Sequence, residues 1–191
     1  MNEQVATDSW HAYPSVFALG HRAISELFDD AVIVEEKIDG SQFSFGVIAG
    51  VLRARSKGQE ILLDGPIEGM FERAIEVVRE LSPLLHPEWT YRAEYLSKPA
   101  HNALAYERVP ARHLIVFDVN TDHERYLSYE DKATEADRLG LEVVPLLGAG
   151  IYSTPGEIAG LLTRQSALGG QLVEGVVVKN YARFGADKKD P

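Results

Sequence analysis

The chain has 191 residues, of which 45% are apolar and 25% are charged, and its formal net charge is -10. This size and composition predict a soluble domain with a proper core, and the absence of cysteine excludes disulfides, thiolate metal sites and thiol nucleophiles. The acidic balance disfavours strong nonspecific binding to nucleic acid, but screening over about 10 Å leaves room for local basic clusters. Two such clusters are present: Arg53, Arg55 and Lys57, and Lys179, Arg183, Lys188 and Lys189.

The sequence predicts neither a targeting signal nor a membrane span. Residues 1–10 are polar and acidic, and no uncharged apolar run approaches the roughly 20 residues that cross a bilayer. We therefore expect a cytoplasmic protein that does not bind a membrane.

A strand and a hairpin are predicted first. The apolar run 31–34 predicts a buried strand that reaches the surface at Lys37. A tight turn is predicted at 39–40, where Asp is followed by Gly. Residues 42–48 and 51–55 then predict a hairpin.

A helix and two further strands follow. Apolar residues at helical spacing predict a helix from Pro66 to Leu81, and Pro83 ends the pattern. The aromatic and β-branched segments 89–96 and 113–119 predict strands.

Two capped helices and a strand are predicted in the last third of the sequence. A capping box at Ser128 predicts a helix that ends near Gly140, and a second helix is predicted from Thr154 to the glycine pair at 169–170. The β-branched segment 172–179 predicts the last strand.

The balance of these elements predicts the fold class. Strands outnumber helices, and turns rather than helical crossovers join several of them. No repeat or linker divides the sequence. We therefore predict a single α+β domain over residues 1–191, with mostly antiparallel sheets flanked by helices.

Phosphate-loop, dinucleotide, serine-hydrolase and zinc-protease motifs do not occur in the sequence. Five other segments carry motifs, at 36–40, 53–58, 91–95, 115–118 and 173–179. Alone, a lysine before an Asp-Gly turn is usually a solvated side chain, and K-x-D-G also arises by chance at ordinary composition. In this order and spacing, the five segments resemble the covalent nucleotidyltransferase superfamily. Within it, E-K-I-D-G-S-Q-F at 36–43 and E-G-V-V-V-K-N-Y at 174–181 resemble the RNA ligase family.

The resemblance implies the ligase adenylation fold, with a nucleotide pocket between antiparallel sheets, and a three-step reaction. A lysine attacks the α-phosphate of ATP, AMP passes to an RNA 5′-phosphate, and a 3′-hydroxyl displaces AMP. Lys37 is the implied nucleophile, and because lysine amines are ordinarily protonated at neutral pH, nearby cations or desolvation must activate it. The implied cofactors are ATP and Mg2+, which Mn2+ can replace. The implied partner is RNA, as a nicked duplex or single-stranded ends, and we expect a monomer.

The resemblance also implies individual nucleotide contacts. Glu36 matches a residue that recognises adenine, and Phe117 matches the aromatic residue that stacks on the base. Arg55 matches an arginine near the ribose and the incoming nucleic acid, with Arg53 as a less favoured substitute. Glu94 matches a glutamate that contacts the ribose.

The remaining implied contacts include the metal ligand. Glu174 matches the carboxylate that organises the metal, and a carboxylate within an apolar strand is costly unless it is paired or bound to metal. Ile38, Gln42 and Lys179 complete the implied nucleotide site, and Gln42 stands where related RNA ligases often carry asparagine. Phe117 lies between apolar residues and is alternatively a core residue.

Strand periodicity raises two questions about this site. Glu35 falls on the same side as Lys37, where a carboxylate opposes activation of the amine. We expect the strand end to turn Glu35 away, or the metal to outweigh it. Lys179 lies five positions after Glu174, so the strand must bend or bulge if both are to meet the nucleotide.

The family's final motif, a lysine pair that binds the triphosphate, is expected farther on than the sequence runs. Lys188 and Lys189 are its nearest equivalents, so we expect the chain to lack this motif, and no segment matches an appended OB-type domain. The sequence leaves alternatives open: a DNA ligase, a GTP-using capping nucleotidyltransferase, or a noncatalytic nucleotide- or RNA-binding module of the same fold.

Overall fold

The computed structural model describes residues 9–63 and 69–183, and their contacts divide them into two compact units. The first unit lies within Met1–Ala12, Gly40–Ser97 and Pro110–Val143, and the second within Tyr13–Asp39, Lys98–Val109 and Val144–Pro191. The single domain expected over 1–191 stays a prediction. Lys188 and Lys189 lie outside the described residues.

The strands are, in chain order, β1 (Val32–Lys37), β2 (Ser41–Ile48), β3 (Val51–Ser56), β4 (Glu60–Ile61), β5 (Thr90–Tyr95), β6 (Leu114–Asp122), β7 (Arg125–Tyr126), β8 (Glu142–Val143), β9 (Leu146–Gly150) and β10 (Gly175–Lys179). The α-helices are α1 (Glu72–Leu81), α2 (Tyr129–Arg138) and α3 (Gly156–Ala159). Short 3-10 helices occur at Arg22–Ile24, Ser82–Leu84, Ala111–His113 and Gly160–Thr163. Among the described residues, no helix combines the length and the apolar character needed to cross a bilayer.

The first unit is built on a seven-stranded sheet in the order β4-β3-β2-β5-β6-β7, with β8 beside β6. Its strand pairs are antiparallel, except for the parallel pair β6 and β8. The predicted hairpin is confirmed, because Ile48 lies opposite Val51. The turn residues Ala49 and Gly50 both have positive φ, 51° and 74°, as a two-residue turn that matches strand twist requires.

The two faces of this sheet differ in polarity because side chains alternate along each strand. One face carries the apolar core, in which Phe43 and Phe45 of β2 pack with Ile75 and Val78 of α1 and Ala136 of α2. A large apolar side chain contributes about 1.5 to 3 kcal/mol when it is fully buried. The opposite face is polar and carries several of the predicted site residues.

The second unit is built on a three-stranded antiparallel sheet in the order β10-β1-β9. On one face, Val32 and Val34 of β1 pack with Ile158 of α3 and with Val176 and Val178 of β10. The intervening residues of β1 and β10 lie on the other face, which is charged. The β1 strand therefore presents Glu35 and Lys37 on a sheet face that does not form the apolar core.

The predicted α+β class with mostly antiparallel sheets is confirmed. The predicted cap of α2 is also confirmed, because the Ser128 hydroxyl accepts a hydrogen bond from the Asp131 amide at 3.1 Å. The helix ends just before Gly140, whose φ of 65° favours glycine.

The predicted end of α1 at Leu81 is confirmed, whereas its predicted start and the predicted end of α3 are wrong. Among the described residues, α1 begins at Glu72, because Gly69 has a φ of 116° that no right-handed helix accepts; Pro66 lies outside the described residues. The α3 helix ends at Ala159 and tightens into a 3-10 helix, well short of 169–170. At 39–40 the chain bends between β1 and β2, which belong to different sheets.

Short strands also form where the sequence gives no strand pattern. The β4, β7 and β8 strands have two residues each, and β9 contains two glycines. Pairing with β1, rather than local propensity, accounts for β9.

Candidate active site

The predicted nucleophile lies at the end of β1, beside a carboxylate. Lys37 is opposite Gly175 in the β1–β10 pairing, which brings the preceding residue, Glu174, next to it. Lys37 Nζ donates to Glu174 Oε1 at 2.6 Å. The side chains are 50% and 29% exposed, so the pair is open to solvent and to a ligand.

A second ion pair lies on the same face of the sheet but is buried. Lys179 Nζ is 2.7 Å from Glu35 Oε2, and the side chains are only 10% and 1% exposed. Glu35 therefore stays on the side of Lys37, contrary to the expected turn of the strand end, and Lys179 neutralises it instead. Glu174 lies in a bend before β10. In a regular strand, residues five positions apart point to opposite faces, and the bend allows Glu174 and Lys179 to reach the same face.

Glu36 precedes the lysine and points to the opposite face of β1. It is 2% exposed, and its carboxylate accepts hydrogen bonds from Ser166 Oγ at 2.5 Å and from the Ala167 amide at 3.1 Å. Both carboxylate oxygens thus have protein donors. The adenine-recognising role of Glu36 stays a prediction, and the structure gives its side chain a role in holding the strand end.

The segment after the lysine is also fixed. Ile38 is 3% exposed, and the next residue, Asp39, donates its amide to Tyr106 Oη at 2.8 Å and accepts from the Leu104 amide at 2.7 Å. Burial, followed by the Asp39 carboxylate and more distant carboxylates, raises the pKa of Tyr106 to about 12. The sequence motifs do not identify Tyr106, because it lies far from the nucleophile in the chain.

Gly40, the last residue of the K-x-D-G motif, allows a close approach of two strands in the first unit. A Cβ at Gly40 would lie 2.8 Å from Cβ of Glu94 and 3.0 Å from Cδ1 of Leu96. Real Cβ atoms do not approach that closely, so only glycine fits without a shift. Gln42, two residues on, lies opposite Glu94 in the β2–β5 pairing and shares its face.

The same polar face continues to the predicted basic segment. Arg55 of β3 lies opposite Ser44, and among the described residues its guanidinium forms no ion pair. Arg53 is held by Glu60 at 2.6 and 2.8 Å and lies 4.9 Å from the Trp10 ring. Arg55 also lies 6.0 Å from the Trp10 ring, and the preference for Arg55 over Arg53 as the ligand contact stays a prediction.

A buried arginine on this face did not appear among the predicted residues. Arg92 is fully buried and donates to Asn120, to Ser44 and to the backbone carbonyls of Ser9 and His11. It fixes the N-terminal segment on the polar face. A charged residue inside the apolar strand pattern of β5 is the signal that could have identified it.

Phe117 lies in an irregularity of β6. Arg92 pairs with Asp118 and Ala93 with Val116, so Phe117 is an extra residue in the ladder. Its carbonyl accepts from the fully buried Lys132 at 2.7 Å. Phe117 is half-buried and does not belong to the apolar core of the sheet, which argues against the alternative reading as a core residue.

The structure thus sorts the predicted residues into two sets. The second unit holds Glu36, Lys37, Ile38, Glu174 and Lys179, and the first holds Gln42, Arg55, Glu94 and Phe117. Within 9–63 and 69–183, no three or more acidic or histidine side chains gather as a metal-binding group.

Comparisons with known proteins bear on the family and the fold of the chain. The family model described as RNA ligase matches residues 30–191. The solved Naegleria gruberi RNA ligase with PPi aligns with a TM-score of 0.66 at 15% identity, over 95% of this chain and 58% of that chain. An archaeal ATP-dependent RNA ligase aligns with a TM-score of 0.63 at 25% identity, over 90% of this chain and 45% of that chain. Comparison with curated proteins gave no match.

The antiparallel sheets, with a lysine at the end of an inner strand, define the nucleotidyltransferase fold of ligases, which these solved structures share. Because the family model covers most of the sequence, the chain belongs to the RNA ligase family. It spans 58% and 45% of the lengths of the two solved relatives.

Proposed function

We propose that this protein is an ATP-dependent RNA ligase that forms a covalent lysyl-AMP intermediate on Lys37 and joins RNA ends as a monomer. The observation that carries the proposal is the ion pair of Lys37 with Glu174 at 2.6 Å, at the end of β1 and within the residues that the family model matches. The printed name of the archaeal relative, an ATP-dependent RNA ligase, supports the choice of ATP and RNA.

In the first step, Lys37 Nζ attacks the α-phosphorus of ATP. A P–N bond forms, the bond from that phosphorus to the bridging oxygen breaks, pyrophosphate leaves and the amine proton passes to solvent. The Lys37 ammonium donates to Glu174 in this structure, so it must leave that carboxylate and lose its proton before it attacks. Its half-exposed position allows this movement.

The second and third steps transfer and release AMP. An oxygen of the RNA 5′-phosphate attacks the lysyl-AMP phosphorus, the P–N bond breaks and the amine regains a proton. The 3′-hydroxyl of the other end then attacks the 5′-phosphorus of the adenylylated strand, forms the phosphodiester bond and releases AMP. The third step does not use Lys37 as a nucleophile.

Glu174 fits a divalent cation shared with the nucleotide. Mg2+ is commonly held by one or two carboxylates together with substrate phosphates, rather than by a complete protein cage. A single partly exposed carboxylate, with no larger acidic group among the described residues, matches that pattern. When bound, Mg2+ or Mn2+ would neutralise phosphate charge and polarise the reacting phosphate. One solved variant of the Naegleria ligase contains ATP and Mn.

The remaining proposed contacts to nucleoside and RNA are those that the family resemblance implies. Phe117 is proposed to stack on adenine, and Glu94 and Gln42, opposite each other on one face, to contact the ribose and phosphates. Arg55, with no ion pair among the described residues, is proposed to contact RNA phosphates. Lys179 supports the site by neutralising the carboxylate beside Lys37.

The test is the intact mass of the protein after incubation with ATP and Mg2+. We expect addition of one AMP, and none in Lys37→Arg, because a guanidinium stays protonated and cannot attack. Lys98→Arg, which changes an exposed lysine of the same unit, is the matched control and should label like the parent. Labelling of Lys37→Arg would disprove the assignment of the nucleophile.

Donor and substrate are tested in the same way. ATP should label the protein and GTP should not, and nicked RNA should be sealed in preference to nicked DNA. Labelling by GTP alone would indicate a capping enzyme. No labelling by either nucleotide, together with no sealing of preadenylylated RNA, would indicate a noncatalytic binding module.

A further inference from the structure

The residue before the nucleophile is held by a buried segment of the second unit. Glu36 accepts hydrogen bonds from Ser166 Oγ at 2.5 Å and from the Ala167 amide at 3.1 Å. Glu36 and Ser166 are 2% and 6% exposed, whereas half of the Lys37 side chain is exposed. Buried hydrogen bonds therefore hold the end of β1, whereas the Lys37 side chain at that end is exposed to solvent.

The chain after the nucleophile is held from another segment of the same unit. The Asp39 amide donates to Tyr106 Oη at 2.8 Å, and the Leu104 amide donates to Asp39 Oδ2 at 2.7 Å. Tyr106 is 5% exposed, and its own amide donates to the Pro99 carbonyl at 3.1 Å. Burial raises the pKa of Tyr106 to about 12, so the phenol is neutral at working pH.

These two holding segments are bonded to each other. The amides of Glu107 and Arg108 donate to the Leu168 carbonyl at 3.1 and 3.2 Å. The Arg108 guanidinium also donates to the Ala167 carbonyl at 3.1 Å. Residues 104–108 and 166–168 thus form one connected structure, here called the clasp.

The geometry points to Tyr106 and Ser166 as positioning residues. They fix the backbone position of Lys37, the proposed nucleophile, through hydrogen bonds to its neighbours Asp39 and Glu36. This inference rests on the proposed adenylylation of Lys37. A nucleophile reacts well only from a narrow range of positions, and small displacements cause large losses of rate. The lysine side chain has several rotatable bonds, so the backbone on which it stands is the part that the protein can fix.

The inference predicts a defect confined to one step. Lysine adenylylation depends on the placement of Lys37, but sealing of RNA that already carries a 5′-adenylate does not use this amine as a nucleophile. Loss of a clasp hydrogen bond should therefore slow the first reaction and spare the second. A merely structural role for these residues would lower both reactions together.

The experiment compares Tyr106→Phe and Ser166→Ala with Tyr91→Phe. Tyr91 is a matched control because its buried hydroxyl also accepts a backbone hydrogen bond, from His86 at 3.1 Å, but it lies in the first unit beside Glu135. Single-turnover labelling is measured against ATP concentration, and sealing of preadenylylated RNA is measured separately.

For both clasp variants, we expect the maximal labelling rate to fall by about tenfold, as for loss of one hydrogen bond, with the half-saturating ATP concentration unchanged. Sealing of preadenylylated RNA should match the parent, and Tyr91→Phe should keep both reactions. If Tyr106→Phe fails to fold, Ser166→Ala decides alone.

Parent-like labelling in the clasp variants would overturn the inference, and so would an equal fall in both reactions. A parent that neither labels nor seals preadenylylated RNA would refute the proposed function itself, so the two failures are distinguishable.

Discussion

Two lysine–glutamate pairs lie along the β1–β10 pairing, and a comparison of them separates the effect of burial from that of distance. The Lys179–Glu35 and Lys37–Glu174 pairs have almost equal N–O distances, 2.7 and 2.6 Å. Their exposures differ sharply, at 10% and 1% for the first pair against 50% and 29% for the second. Removing the lysine of each pair should therefore have very different effects on stability.

The Lys179→Met substitution removes the ammonium group that lies 2.7 Å from the buried Glu35 carboxylate. Breaking a buried pair in this way costs about 3 to 5 kcal/mol, because the remaining charge is desolvated. Lys37→Met breaks a solvent-exposed pair, for which about 0 to 1 kcal/mol is expected. The double variant Glu35→Gln with Lys179→Met should recover much of the loss, because no unpaired charge remains buried.

The assay is urea denaturation of the parent and these variants at neutral pH. It yields the free energy of unfolding for each protein from the linear dependence on denaturant. If Lys179→Met loses no more stability than Lys37→Met, burial does not govern these pairs and the reasoning is wrong. If the double variant is as unstable as Lys179→Met alone, the loss arises from packing and not from an uncompensated charge.

Three further predictions concern other parts of the chain. Gly40→Ala should lower the free energy of unfolding by about 1 to 3 kcal/mol through overpacking, whereas Gly58→Ala, with open space around it, should have little effect. Glu174→Ala should melt like the parent but fail to acquire AMP, and a destabilised variant that still labels would remove Glu174 from the site. Burial raises the pKa of Glu135, but hydrogen bonds from Arg138 and a tyrosine outweigh it and leave the pKa below its usual 4.5. This stabilisation is present above pH 4.5 and is lost as the pH falls through the lowered value, so Arg138→Met should be less stable than the parent at neutral pH, with the difference shrinking in acid.

Local signals in the sequence predicted the elements that local chemistry determines. The Ala-Gly turn at 49–50 and the Ser128 cap act through backbone groups within a few residues, and both occur as predicted. The β9 strand has no such signal, because its glycines form a strand only by pairing with β1. The early start predicted for α1 failed because helical spacing of apolar residues continues across Gly69, where the backbone φ is positive.

The candidate site likewise contains residues that local sequence patterns predict and residues that they do not. The apolar run before Lys37 predicts its position at a strand end. The separate motif at 174–181 identifies Glu174, which lies beside Lys37 in the structure. The partner of Glu35 did not follow, because strand alternation reveals which face a side chain occupies but not which distant charge lies beside it. Tyr106 and Ser166 form their contacts through segments remote in sequence, and no local pattern identifies such residues.

The pairing of β1 with β10 also constrains when the site assembles during synthesis. Lys37 and Glu174 are 137 positions apart in the chain, and β1 lies between β9 and β10 in its sheet. The β1 strand, which carries Lys37, is translated early. It cannot pair until β9 and β10 have been translated much later. Contacts of such long sequence separation form slowly, so nascent chains that end before residue 179 cannot form the complete β1–β10 pairing beside which Lys37 and Glu174 meet.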